Sequence, residues 1–294
     1  MRTVFLGTAP FAVSVLRTLA ASEHRPSLVV TRPDRPRGRG RRLSPPPVAE
    51  AARELGIAVA QPGSVNEPAA RARIAEAEPE AVCVCAFGGL IRDPLLSDYR
   101  MLNVHPSLLP RWRGAAPIER AIMAGDERTG VAIMRVTAGL DSGPVCAQES
   151  VAVGADDTYG TLAGRLSELG GRLLVATLSE GPECVEQDEA LATYAEKITA
   201  EDRRLDTSRP AVELERLVRA LTPHIGAQAL LADGTPLGVS RARVLEDGPV
   251  PGMLALDGRR PVLGCADGAL ELLVVKPPGR REMSGEEWLR GLRR

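Results

Sequence analysis

Asn103 and His105 stand two residues apart at the end of a short apolar run, Met101-Leu102-Asn103-Val104-His105, which Pro106 interrupts. On a strand, residues i and i+2 share a face, so a carboxamide and an imidazole would project side by side where strand gives way to loop. A carboxamide N–H can stabilise a developing oxyanion. An imidazole titrates near neutral pH and can hold or pass a proton. Downstream, Gly139-Leu140-Asp141-Ser142-Gly143 offers Asp141 between glycines that let the backbone turn sharply. A carboxylate there would orient the imidazole and favour its charged form. An Asn, a His and an Asp together make a site for acyl transfer. No serine or cysteine accompanies them as an obvious nucleophile, so transfer would run directly between two bound substrates. Each residue also has a plain structural reading: a histidine before proline is often a satisfied core residue, and an aspartate between glycines is often only a turn.

The elements around these residues alternate. Residues 2–6 read as a strand, Gly7-Thr8-Ala9-Pro10 as a turn and 11–21 as a helix with apolar positions at helical spacing. The turn lacks Gly-x-Gly-x-x-Gly, which speaks against nicotinamide and flavin chemistry. Strands are expected at 26–31 and 57–60, with helices at 48–55 and from Asn66 or Pro68 to Ala77. Residues 81–86 form a continuous apolar run, as a buried central strand does, and end in Phe87-Gly88-Gly89-Leu90-Ile91. The strand carrying Asn103 and His105 follows, then a helix at 118–124. Strands at 130–136 and 145–151 flank the Asp141 turn, and a helix at 158–178 is capped by Asp156-Asp157. This alternation predicts an α/β fold, a Rossmann-like mixed sheet with helices on both faces. Ligands bind such sheets outside the carboxyl ends of the strands, where His105 falls. The pattern stops near Pro182. The polar, acidic residues 184–204 read as a linker and 210–221 as an amphipathic helix. Short strands follow at 227–231, 237–244, 252–256, 261–265 and 270–276, with Asp-Gly turn signals at Asp233, Asp257 and Asp267. Ser284 and Glu287 form a capping box. That is a small OB-like β-barrel. The expected domains are 1–183, a 184–204 linker, and 205–294.

Composition sets limits. Hydrophobic content of 44% with 26% charged residues is that of an ordinary globular protein. No apolar run is long enough to span a membrane, and the N-terminus has no signal-peptide pattern. Five cysteines, scattered and without zinc spacing, read as five reduced thiols in a cytoplasmic protein. With three histidines and no clustered carboxylates, no catalytic metal is expected. The formal net charge is −1, yet six arginines fall between Arg32 and Arg42. Glycine and proline density there excludes helix and sheet, leaving a loop that is either a phosphate-seeking arm or a solvated charge run. Aromatic content of 3% argues against extensive stacking on single-stranded bases.

Asn103-Val104-His105-Pro106-Ser107-Leu108-Leu109-Pro110, followed by Gly139 to Gly143, resembles the folate-dependent formyltransferases. The continuation Arg111-Trp112-Arg113-Gly114-Ala115-Ala116-Pro117-Ile118 is similar to the members of that family that act on methionyl-tRNA. So are Pro33-Asp34-Arg35-Pro36 with Gly38-Arg39-Gly40, Thr193-Tyr194-Ala195-Glu196-Lys197, and Met283-Ser284. The resemblance implies transfer of a formyl group from 10-formyltetrahydrofolate to the α-amino group of methionyl-initiator tRNA. It implies Asn103, His105 and Asp141 as the catalytic trio. It further implies folate contacts from Phe87, Gly88, Gly89, Leu90 and Ile91, from Ser107, Leu108, Leu109 and Pro110, and from Val136, Gly139 and Leu140. The arginine loop would grip the tRNA acceptor stem through Arg35, Arg37, Arg39, Arg41 and Arg42, and the barrel would contact the tRNA elsewhere. A monomer is expected, with no metal and no membrane partner. Three alternatives remain open at this point: another one-carbon transferase, a formyl-folate hydrolase, and a non-catalytic RNA-binding module.

Overall fold

The computed structural model describes residues 1–37, 42–257 and 260–292. The chain forms two compact units. The first comprises Met1–Gly114, Thr129–Val151 and Ala163–Tyr194; the second comprises Ala115–Arg128, Ala152–Leu162 and Ala195–Arg294.

In the first unit the strands are β1 (Thr3–Gly7), β2 (Pro26–Val30), β3 (Arg35–Arg37), β4 (Arg42–Ser44), β5 (Ala58–Ala60), β6 (Ala81–Cys85), β7 (Met101–His105), β8 (Arg113–Gly114), β9 (Arg128–Arg135) and β10 (Val145–Ala152). Seven of them make one sheet in the order β10-β9-β7-β6-β1-β2-β5. The β1, β2, β5, β6 and β7 pairings are parallel, and β9 runs antiparallel to β7. From β1 the chain winds outward through β2 to β5, then returns beside β1 and winds the other way from β6 to β10. The order therefore reverses between β1 and β6, at the point where open α/β sheets bind ligands. β1 and β6 are buried along their whole length, which is why both read as unbroken apolar runs. Val4, Leu6, Val82, Val84 and Leu95 share one core cluster with Phe87, Ile91 and Met101.

In the second unit, strands Ala227–Leu230, Pro236–Leu245, Ala269–Lys276, Arg260–Gly264 and Leu254–Asp257 lie side by side in that order. Every pairing is antiparallel, and Met283–Ser284 adds to Ala269–Lys276. This is a half-barrel. Helix Ala211–Leu221 buries Leu214, Leu217, Val218 and Leu221 against its inner face, with Trp288 and Leu289 of the last helix. The capping box forms: Ser284 N donates to Glu287 Oε2 at 3.0 Å, and Glu287 N to Ser284 Oγ at 3.2 Å.

Four sequence expectations are corrected. The arginine segment is not free of sheet, since β3 and β4 pair antiparallel through Arg35–Ser44, Pro36–Leu43 and Arg37–Arg42. In a two-stranded ribbon both strands are edges, so Pro36 sacrifices no ladder hydrogen bond. The cysteines are not five free thiols, because Cys146 and Cys184 are bonded to each other. Val145 and Val185 exchange two backbone hydrogen bonds of 2.8 Å, which puts the next pair of residues directly opposite at close range. The other three are buried, and burial pushes the Cys83 thiol up to about 12 and Cys265 up to about 11, leaving them inert. Residues 184–194 do not hang free as a linker but belong to the first unit. The long helix runs Tyr159–Glu180, and Thr158 Oγ1, not an aspartate, receives the Thr161 amide.

Candidate active site

β7 delivers Asn103 and His105 to the same face at the carboxyl edge of the sheet, opposite Met134 and Ala132 of β9. Asn103 is half-buried; His105 is 4% exposed. His105 Nε2 lies 2.9 Å from the Trp112 carbonyl oxygen, which can only accept, so Nε2 carries hydrogen. The other ring nitrogen, Nδ1, faces Asp141 Oδ2 at 3.6 Å. That distance is an ion-pair separation and not a hydrogen bond, so the carboxylate does not consume Nδ1. The orienting role expected of Asp141 thus falls to a main-chain carbonyl. Asp141 is itself anchored, its Oδ2 accepting from Gly114 N at 2.9 Å. With Nε2 held by the Trp112 carbonyl, Nδ1 is the ring nitrogen left without a hydrogen-bond partner at that distance.

The backbone here is held away from its ordinary minima. Among the described residues four non-glycines have positive φ, and three stand at this edge: Ala86 (+43°), Trp112 (+64°) and Asp141 (+46°). Such conformations cost roughly 1–3 kcal/mol each and cluster where function needs them. Gly143 must be glycine, because a Cβ there would lie 2.0 Å from the Arg135 carbonyl oxygen.

The turn after β6 sits at the switch point. Ala9 N donates to Ala86 O at 3.2 Å, and Thr8 Oγ1 to Phe87 O at 2.8 Å. Asn66 clamps its far end, donating to Leu90 O at 2.8 Å and accepting from Arg92 N at 2.9 Å. Of the residues expected to touch folate, Leu90 and Leu140 are 63% exposed. Phe87, Ile91 and Val136 are packed in the core cluster, Leu109 packs with Ala132 and Met134, and buried Ser107 donates its hydroxyl to Arg111 O at 2.6 Å. Of these, Val136 also lines a cleft of about 500 Å³ that opens beside the Asp141 turn. Its other lining residues are Leu96, Tyr99, Met101, Thr137, Ser142, Gly143 and Pro144, together with the charged Arg100, Arg135 and Glu186. Arg100 Nε is buried there with no partner. Tyr99, Arg100 and Arg135 went unnoticed in the sequence because they sit at strand ends without a motif. A second cleft, of about 710 Å³, lies within the second unit, but its cations are consumed by Arg120–Asp202, Arg204–Glu201 and Arg209–Glu213 pairs.

Arg35 and Arg42 are exposed on the β3–β4 ribbon, and Arg37 shares its backbone ladder. Arg39 and Arg41 lie outside the described residues. Among the described residues, no group of three His, Cys, Asp or Glu side chains could hold a metal ion, and no helix is long and apolar enough to cross a membrane.

Two family models match: Formyl transferase over residues 1–178, and Formyl transferase, C-terminal domain, over 197–293. A methionyl-tRNA formyltransferase of Methylococcus capsulatus is 44% identical, the match covering 98% of this chain and 96% of that protein. One from Dinoroseobacter shibae is also 44% identical, over 99% of this chain and 98% of its own. Among solved structures, HypX from Aquifex aeolicus in complex with tetrahydrofolic acid superposes with a TM-score of 0.68 at 18% identity, covering 98% of this chain and 47% of that one. By both family models and by these full-length relatives, the chain belongs to the formyltransferase family, in its methionyl-tRNA formyltransferase branch.

Proposed function

We propose that this chain transfers the formyl group of 10-formyltetrahydrofolate to the α-amino nitrogen of methionyl-initiator tRNA, with Asn103, His105 and Asp141 as its catalytic residues. The observation that carries the reading is His105 Nδ1 facing Asp141 Oδ2 at 3.6 Å while Trp112 O holds the other ring nitrogen. Free α-amino groups titrate near pKa 7.7–8.0, so a neutral amine is available without further activation. Its lone pair attacks the formyl carbon, and the carbonyl electrons move onto oxygen. Asn103 Nδ2 and the protonated imidazole stabilise that oxyanion. On collapse the bond from carbon to the folate nitrogen N10 breaks, N10 gains a proton, and the attacking nitrogen loses one; His105 Nδ1 carries this exchange.

The cleft beside the Asp141 turn suits the folate. Its aliphatic and aromatic wall fits a fused ring, and Arg100 and Arg135, two cations against the single carboxylate of Glu186, suit a carboxylate tail. The β3–β4 ribbon, with Arg35, Arg37 and Arg42, and Arg39 and Arg41 between them, is assigned to the acceptor stem, and the C-terminal unit to the rest of the tRNA contact. The enzyme is assigned to the cytoplasm as a monomer. Formylation rates on charged initiator tRNA, elongator methionine tRNA and glycinamide ribonucleotide test the assignment. Initiator tRNA should be strongly preferred; equal or better use of glycinamide ribonucleotide would refute it.

A further inference from the structure

Asp141 is held by a side chain the mechanism above does not use. Gln187 lies on a strap whose Val185 pairs with Val145 of β10 and whose Cys184 is bonded to Cys146. From there Gln187 Nε2 donates to the carbonyl oxygens of Asp141, at 2.8 Å, and Gly143, at 2.7 Å. Its Oε1 accepts from Arg113 Nε at 3.0 Å. Arginine can only donate and carbonyls only accept, so the carboxamide has a single orientation and both amide hydrogens are used. Arg113 is 1% exposed, and its two terminal nitrogens donate to Glu189 at 2.9 and 2.8 Å. A bidentate, charge-assisted pair of this kind fixes geometry as well as charge.

Arg113 is also the middle of the triplet that touches both catalytic partners: Trp112 O holds His105, and Gly114 N holds Asp141. The Asp141 turn is left-handed at a non-glycine residue, a conformation that persists only where its surroundings over-determine it. We propose that Gln187, aligned by Arg113 and Glu189, is a positioning residue that holds the 141–143 turn so that the Asp141 carboxylate faces His105. This rests on the trio proposed above.

Gln187→Glu keeps the shape but sets an oxygen against two carbonyl oxygens. It should lower kcat about 10- to 100-fold, the effect of a small misplacement, while KM for tRNA stays within about twofold. In an Asp141→Asn background the same change should cost no more than about twofold, because Gln187 acts through the carboxylate. A folded Q187E with wild-type kcat, or with an equal fall in both backgrounds as general loosening gives, overturns the proposal. D141N with wild-type turnover would instead overturn the trio. Should Q187E fail to fold, Glu189→Ala at a 69% exposed side chain carries the test. It should reduce kcat several-fold in the wild-type background and not in D141N, and no reduction, or an equal one in both, overturns the proposal.

Discussion

His105→Ala removes two things at once, and the structure allows them to be separated. The first is the titratable Nδ1 facing Asp141 at 3.6 Å. Losing a positioned proton carrier should cut turnover about 10²- to 10⁴-fold, or about 3–5 kcal/mol at 1.36 kcal/mol per decade. The second is the 2.9 Å hydrogen bond that Nε2 gives to Trp112 O, in a site where His105 is 4% exposed. Losing a hydrogen bond of this kind costs about 0.5–1.5 kcal/mol of stability, before any term for the cavity. His105→Gln is the discriminating partner, since its amide can still donate to that carbonyl but cannot exchange a proton near neutral pH. Single-turnover formylation of charged initiator tRNA, tRNA binding and the urea midpoint should be measured for both. H105A should lose turnover and stability while tRNA affinity stays near wild type, because the arginine ribbon proposed to hold the tRNA is untouched. H105Q should recover much of the stability and none of the turnover. Turnover of H105A within tenfold of wild type, or recovery of turnover together with stability in H105Q, would show that the ring is structural.

Three further outcomes follow from separate parts of the molecule. Gly143→Ala would set a Cβ 2.0 Å from the Arg135 carbonyl oxygen and 2.9 Å from Thr137 Cγ2, so the Asp141 turn must move; kcat should fall at least about tenfold with tRNA affinity kept, and unchanged kcat would mean the turn does not set the rate. Replacing Arg35 and Arg42 together by glutamine should make the log–log salt dependence of tRNA binding shallower by about 1.4–1.8, at 0.7–0.9 per phosphate contact, and an identical slope would mean a merely solvated ribbon. Burial, with Glu119 adding to it, pushes the Tyr159 hydroxyl up from 10.0 to about 12. The folded state then holds this proton more tightly than the unfolded one, so its stabilising contribution is complete below pH 10 and is lost as pH rises to 12. With partial exposure the loss is about 1–2 kcal/mol, and Tyr159→Phe should show a correspondingly flatter alkaline limb in urea midpoints; identical limbs would exclude Tyr159 as its source.

That Asn103 and His105 share a face was legible because side-chain type and strand period together say which groups lie side by side, and β7 obeys that period. The switch point between β1 and β6 was not, since strand order depends on pairings that no single apolar run specifies. Composition misled at Pro36, whose ring is tolerated in an isolated ribbon, and at Cys146 and Cys184, which only the Val145–Val185 bridge brings together across 38 residues of chain. The deeper gap concerns what holds His105 and Asp141 in place. Trp112 O fixes His105, Gly114 N fixes Asp141, and the carbonyls of Asp141 and Gly143 receive Gln187. Every residue carries such main-chain groups, so no residue type advertises them. Arg113 and Gln187 were visible letters, but their meaning depends on a strap that returns from far along the chain to the turn it braces. The same reasoning explains why a disfavoured backbone at Ala86, Trp112 and Asp141 survives: each is gripped from outside its own segment, by Ala9, by Thr193 or by Gln187. In this fold the candidate side chains are local features of sequence, and the geometry that holds them is a long-range property of backbone hydrogen bonding.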